Sequence, residues 1–171
     1  MPEKNILENN PTLDKLKSQF GSEILKSEVF RNELTVIVKR DRIVEIMQFL
    51  KDDPELQYDY LVDLTAVDYL KMEKSPRFQV VYHLRSMKYG RRVRIKAPVP
   101  ENDCKIQTLY YLWKTANWYE REAWEMYGIV FENHPDLRHL LIPDTFTHFP
   151  LRKDYPLRGK GEREIILPEG S

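Results

Sequence analysis

The densest group of side chains that could do chemistry is Glu120, Arg121, Glu122 and Glu125. Read as chemistry, these are an acid–base cluster. On a helix Glu122 and Glu125 share a face, and Arg121 can pair with Glu125 one turn further on. Catalysis would also need a cleft and a second reactive group, and no Ser/His/Asp or Cys/His constellation accompanies the cluster. Charge clusters are mostly structural. The favoured expectation is therefore that these carboxylates bind arginines or backbone N–H groups at a junction between subunits, with no catalytic residue in the chain.

His134, His139 and His148, with Asp136 and Asp144, invite a metal reading. Their spacing matches no compact zinc pattern and no thiolate lies near them, so no metal ligand is expected, and His134-Pro135 is read as fixing a turn. Lys88 to Lys96 is basic with an aromatic residue and β character, the nearest approach to a nucleic-acid surface. An RNA-binding sheet would want two aromatic-rich strand motifs. The run reads better as a solvated hairpin edge guarded by Lys and Arg, and His83 in a neighbouring strand needs no function.

Tyr110, Tyr111, Trp113, Trp118, Tyr119, Trp124 and Tyr127 form an aromatic belt. Tyr110 and Trp113 have the spacing of core residues, whereas Trp118, Trp124 and Tyr127 are candidates to face a partner. Arg152, Lys153, Arg158, Lys160 and Arg163 make the following segment basic, suited to docking on an acidic groove with Tyr155 and Leu157 as anchors. Interface cores favour this mixture of aromatics and arginine.

Composition narrows the function classes. The 27 basic and 27 acidic residues cancel, so no global field attracts nucleic acid or anionic lipid. Cys104 is the single cysteine, which removes a disulfide framework and the four-thiolate set of an iron–sulfur cluster. The six glycines form neither G-x-G-x-x-G nor a phosphate loop, so no cofactor is expected on this chain. The N-terminal residues lack the pattern of a signal peptide. No apolar run approaches the ~20 residues of a membrane span, so any membrane association is expected to come through partners.

The elements that must carry these residues follow from periodicity. Leu13, Leu16 and Phe20 mark a helix over 11–20, and strands are expected near Ile24–Phe30 and Leu34–Lys39 across a hairpin. Asp41 is the expected N-cap of a helix through Ile43, Ile46, Met47 and Leu50. Tyr58–Tyr69, Phe78–Ser86 and Arg91–Ala97 read as strands, the last two joined at Tyr89-Gly90, with Pro98 and Pro100 ending the sheet. Helical spacing is expected at Ile106, Leu109, Tyr110 and Trp113 and again from Trp118 to Tyr127. Beyond Gly128 no period survives, and prolines 135, 143, 150, 156 and 168 suit an extended arm. The expected architecture is α+β: an antiparallel or mixed sheet with helices packed on it, in a domain of residues 1–131, and an extended partner-binding arm over 132–171.

One stretch also carries a family resemblance. Glu120-Arg121-Glu122, then Glu125, Met126 and Tyr127, then His134, Arg138, Leu140 and Leu141 follow in order, and Pro150-Leu151-Arg152-Lys153-Asp154-Tyr155-Pro156-Leu157 forms a second block. Together they resemble the signature of the 30-kDa subunit of respiratory complex I, the proton-pumping NADH:quinone oxidoreductase. The sharp resemblance covers about a quarter of the chain. It implies a place in the hydrophilic arm beside the 49-kDa quinone-site protein and the Fe–S subunits. FMN, Fe–S clusters and quinone would be bound elsewhere in the assembly. Its implied contact residues are Glu120, Arg121, Glu122, Trp124, Glu125, Tyr127, His134, Arg138, Arg152, Lys153, Asp154 and Tyr155. The segment Thr145-Phe146-Thr147-His148-Phe149 departs from the Gly- and acid-containing turn of many relatives. The chain ends soon after the second block and shows no transit peptide, from which a separate bacterial subunit on the cytoplasmic side of the membrane is expected. The alternatives are the equivalent subunit of a membrane-bound hydrogenase or of an enzyme fed by ferredoxin or a deazaflavin, and, from another class, a free-standing acid–base enzyme using Glu120 and Glu122.

Overall fold

The computed structural model describes residues 10–72 and 76–161; Arg163 and Pro168 lie outside them. Helix α1 spans Pro11–Phe20, α2 Ile43–Asp52 and α3 Ala116–Tyr127. The strands are β1 (Ile24–Phe30), β2 (Glu33–Val38), β3 (Tyr60–Asp68), β4 (Phe78–Arg85), β5 (Arg92–Val99), β6 (Lys105–Gln107) and β7 (Val130–Glu132). Strands β1 to β5 form one sheet in the order β1-β2-β5-β4-β3, with β2 and β5 parallel and the other pairs antiparallel. The fold is α+β with a mixed sheet.

Local chemistry explains the elements. Asn10 caps α1 by accepting from the amides of Thr12 and Leu13, and Pro11 sits where a helix needs no N–H. Arg31 and Asn32 both adopt positive φ (49° and 67°), the two-residue turn whose twist suits a hairpin. Leu34, Val36, Val93, Ile95, Val80, Tyr82 and Leu64 point to one face of the sheet, where they meet Leu13, Leu16, Ile46, Met47 and Leu50 from the helices. The alternating residues, among them Thr35, Arg94, His83 and Asp63, make an opposite face that does not join this core.

Several expectations are corrected. Asp41 does not cap α2: a short 3-10 turn over Arg40–Arg42 precedes the helix, and the Ile43 amide bonds the Arg40 carbonyl, so the chain supplies its own cap. Pro98 does not end the sheet but lies within β5 opposite Gln79. Pairing between β2 and β5 stops at Lys96, leaving one flank open where a missing N–H is tolerated. The basic strand is not an edge either, because β5 sits between β2 and β4. No helix forms over 106–113. Ile106 lies in β6, which pairs in parallel with β7, and Leu109 and Trp113 are buried from consecutive turns, so their spacing reflects burial and not a helix.

Gly128 ends α3 at φ 76°, with its amide bonding Trp124. A Cβ there would stand 2.6 Å from the Arg152 guanidinium and 2.6 Å from the Phe149 ring. Gly128→Ala is expected to lower the unfolding free energy by about 2–3 kcal/mol, from the left-handed backbone and the displaced ring together. Urea denaturation of the purified chain reads this, and an unchanged midpoint would refute the close approach.

Candidate functional site

Helix α3 and the segment after it form one interlocked block. Glu120 is fully buried; its Oε1 accepts from the Leu109 amide at 2.7 Å and its Oε2 from the Thr108 hydroxyl. Thr108 Oγ1 in turn accepts from the Tyr110 amide at 3.1 Å. The carboxyl thus organises the turn that stands in place of the expected helix. Burial pushes its pKa up to about 7, although the bonds from Thr108 and Leu109 act in the opposite direction. His134 Nε2 faces it at 3.9 Å with its side chain also shielded from water, and His134 Nδ1 accepts from the Asp136 amide at 3.0 Å. Burial lowers the imidazole's pKa.

One turn along, Arg121 and Glu125 divide the main chain of residues 138–142 between them. Arg121 donates from Nε to the Arg138 carbonyl at 2.9 Å and from Nη2 to the His139 carbonyl at 2.8 Å. Glu125 accepts from the amides of Leu140 at 2.9 Å and Leu141 at 3.0 Å, with His139 Nδ1 3.4 Å away. A segment without secondary structure therefore has main-chain carbonyls and amides bonded by two side chains at i and i+4. The pairing expected between Arg121 and Glu125 themselves is replaced by this shared hold on the chain.

The second block is bolted down in the same way. Arg152 donates from Nε to the Tyr127 carbonyl at 2.7 Å, and the Leu151 amide bonds Met126, so the last carbonyls of α3 are met by a cation and an N–H. The Lys153 amide donates to Asp68 at 2.9 Å. Arg77 joins the two ends: it holds Asp68 through Nε at 3.0 Å and Nη2 at 2.8 Å, and Asp154 through Nη2 at 2.7 Å. Burial alone would raise Asp68, but the bonds from Arg77, Lys153 and Leu70 outweigh it and hold the carboxyl at about 2. Tyr155 packs beside Phe146 and His148, at ring distances of 6.1 and 5.9 Å.

The residues of the sequence pattern therefore split into two sets. Glu120, Arg121 and Glu125 are buried in the chain's own interior, so they can shape a junction but not touch a partner across it. Trp124, Tyr127, Arg152 and Tyr155 are half-buried, with Trp124 packed at a tilt against His139, and the His134 side chain is shielded, while Glu122, Arg138, Lys153 and Asp154 are exposed. Exposed beside them are Trp118, Leu141, Leu151 and Leu157. The structure does not bring Glu120 and Glu122 together as an acid–base pair: one carboxyl is sealed and the other faces solvent. Sequence reading misses Asp68, Arg77 and Thr108. Nothing local marks them, since Asp68 meets its partner amide 85 residues away.

The raised Glu120 carboxyl has a signed consequence. In the folded chain it ionises near 7 and in the unfolded chain near 4.5, so folding stability is lost as pH rises from about 4.5 through 7. Glu120→Gln keeps an acceptor for Leu109 and cannot ionise. Relative to the parent, the variant is expected to gain about 2–3 kcal/mol between pH 5 and pH 8. Chemical denaturation at both pH values reads this, and parallel pH profiles for the two proteins would refute it.

The family described as "Respiratory-chain NADH dehydrogenase, 30 Kd subunit" matches residues 36–161. The C subunit of NADH-quinone oxidoreductase from Geotalea uraniireducens is 51% identical over 155 residues, covering 91% of this chain and 92% of that protein. The protein of the same name from Geobacter sulfurreducens is 49% identical over 154 residues, 90% and 93% of the two chains. A trypsin-resistant fragment (1–134) of Nqo5 superposes with a TM-score of 0.65 at 32% identity, over 74% of this chain and 99% of that one. A chain of an archaeal membrane-bound sulfane sulfur reductase shares the fold, with a TM-score of 0.68 at 23% identity over 98% of this chain and 92% of that one. With this match to more than half its length, the chain belongs to the family of the 30-kDa subunit of respiratory-chain NADH dehydrogenase.

Proposed function

We propose that this chain is a non-catalytic, peripheral subunit of the hydrophilic arm of a proton-translocating NADH:quinone oxidoreductase. Its work is to hold neighbours in place: the 49-kDa quinone-site protein and the Fe–S subunits, which with FMN carry electrons from NADH to quinone. The observation that carries the reading is the internal bracing of α3 and residues 138–154. Arg121, Glu125 and Arg152 hold main-chain groups of these segments within the chain, leaving Trp118, Glu122, Arg138, Leu141, Leu151, Lys153 and Leu157 as a mixed apolar and charged surface. A rigid presenting surface is what positioning of redox partners requires. The described part of the arm, residues 132–161, supplies part of that surface. Among the described residues no helix is long and apolar enough to cross a membrane; the attachment proposed is through partners, on the cytoplasmic side.

The test is affinity capture of the tagged full chain from gently solubilised membranes, with mass spectrometry of what is retained. Recovery of a 49-kDa-type quinone-site protein with cluster-bearing and flavin-bearing subunits supports the reading. Recovery of the chain alone overturns it.

A further inference from the structure

The sheet face that does not join the core carries its residues in rows across the strands. Thr35, Arg94, His83 and Asp63 form one row, and Arg92, Arg85 and Tyr60 stand in the next. The first row is matched in charge: Arg94 Nη1 donates to the Thr35 hydroxyl at 3.1 Å, Nη2 bonds Glu33, and Asp63 stands opposite His83. The second row is not. Arg85 and Arg92 are directly opposed, and among the described residues no acid or carbonyl bonds either one; the Arg85 Nε is shielded from water without a partner. Like charges directly opposed on a sheet are destabilising, and a shielded N–H without an acceptor adds to the loss. The nearest acid, Glu33, is already held by Arg94.

Apolar surface lies beside the two guanidinium groups. Tyr60 is 48% exposed, Val62 40% and Met87 59%. With Arg85 and Arg92, and with the charge-matched Glu33, Arg94, Asp63 and His83 at its side, these residues line a groove of about 530 Å³. Solvent satisfies an exposed arginine pair without needing three exposed apolar residues next to it, so the combination marks a surface that is covered.

We infer that this groove docks an acidic segment of a neighbouring protein subunit. One carboxylate of the segment bridges Arg85 and Arg92 in the fork geometry that arginine favours, and an apolar side chain beside it seats against Tyr60, Val62 and Met87. A polyanion fits poorly: Glu33, bonded to Arg94, and Asp63, opposite His83, also line the groove and would repel an extended phosphate backbone or an anionic bilayer, whereas one short carboxylate-bearing segment can seat on the Arg85–Arg92 pair alone. The inference rests on the reading of the chain as a subunit, and it adds a contact on the sheet face, apart from α3 and the arm.

The experiment places a photo-crosslinking amino acid at Met87 of the tagged full chain in its native membranes and maps the crosslinked peptide. The expected product joins Met87 to a partner-subunit peptide with an Asp or Glu within a few residues of the crosslink. Arg85→Glu with Arg92→Glu is expected to reduce it at least ten-fold, and Lys in place of the partner's acid to restore at least half. If the charge-reversed chain fails to fold, Arg85→Gln with Arg92→Gln is read in its place, with the same ten-fold loss expected. Crosslinks only to phospholipid, to a second copy of this chain, or to a segment without an acid overturn the inference. So does a crosslink no stronger than at Lys17, provided the parent chain still captures its membrane complex. A parent chain that captures no other subunit overturns the proposed function instead.

Discussion

Asp68→Asn is expected to lower the unfolding free energy by about 3–5 kcal/mol at neutral pH, the range for breaking a buried ion pair from one side. The Asp68 carboxylate is 2% exposed and binds two nitrogens of Arg77 and the amides of Leu70 and Lys153. An asparagine amide would turn an NH2 toward groups that are all donors, and Arg77 would be left with Asp154 and Glu101, both half exposed. The effect carries a pH signature. The folded carboxyl ionises at about 2 against 3.8 for the free side chain, so its contribution is complete above about pH 4 and is lost as pH falls through 2. That limb amounts to about 2 kcal/mol and should vanish in the variant. Thermal unfolding followed from pH 2 to 7 checks both points. A variant that keeps the parent's acid limb would show that Asp68 is not its source.

Glu125→Ala should do comparable damage with a different local readout. The fully buried carboxylate takes the amides of Leu140 and Leu141, and the methyl of alanine takes neither. Two shielded N–H groups without acceptors, together with the lost charge-assisted bonds, correspond to about 3–5 kcal/mol. Because Arg121 still holds the carbonyls of Arg138 and His139, the segment is expected to loosen rather than detach. Hydrogen exchange at Leu140 and Leu141 should rise far more than at Val80 or Ile95 in the sheet. Equal rises everywhere would mean that Glu125 supports the whole fold and not this segment.

These two acids also show what the sequence can and cannot say. The hairpin at Arg31-Asn32, α1, α2 and the alternating strands β3 to β5 are legible because their cause is local: turn conformation, helix period and pleat. The run 106–113 misleads because its deciding partner is remote; Glu120, on a later helix, captures the Leu109 amide that a helix would have used. Strands β6 and β7 have three residues each, too few to display a period. At the candidate site the sequence marks the right stretch, since acids and arginine among aromatics are unusual on any surface. Read from sequence, Arg121 is a contact residue for a partner. The burial of Arg121, with two carbonyls in its grip, makes its removal a change to the fold itself. Charge alone does not tell a residue that greets a partner from one that holds the chain's own backbone; only burial does.

The arrangement of α3 under its covering segment bears on how the chain is made. A helix whose hidden side is purely apolar would stand bare while the rest of the polypeptide was still being synthesised. Here that side carries Arg121 and Glu125, which water solvates well until residues 138–142 emerge to replace it. At roughly 5–20 residues added per second, the interval between the helix and its cover is on the order of a second. Over that interval the nascent chain offers chaperones and other half-made chains ions rather than bare hydrocarbon, and the same two charges become the latch once those residues leave the ribosome.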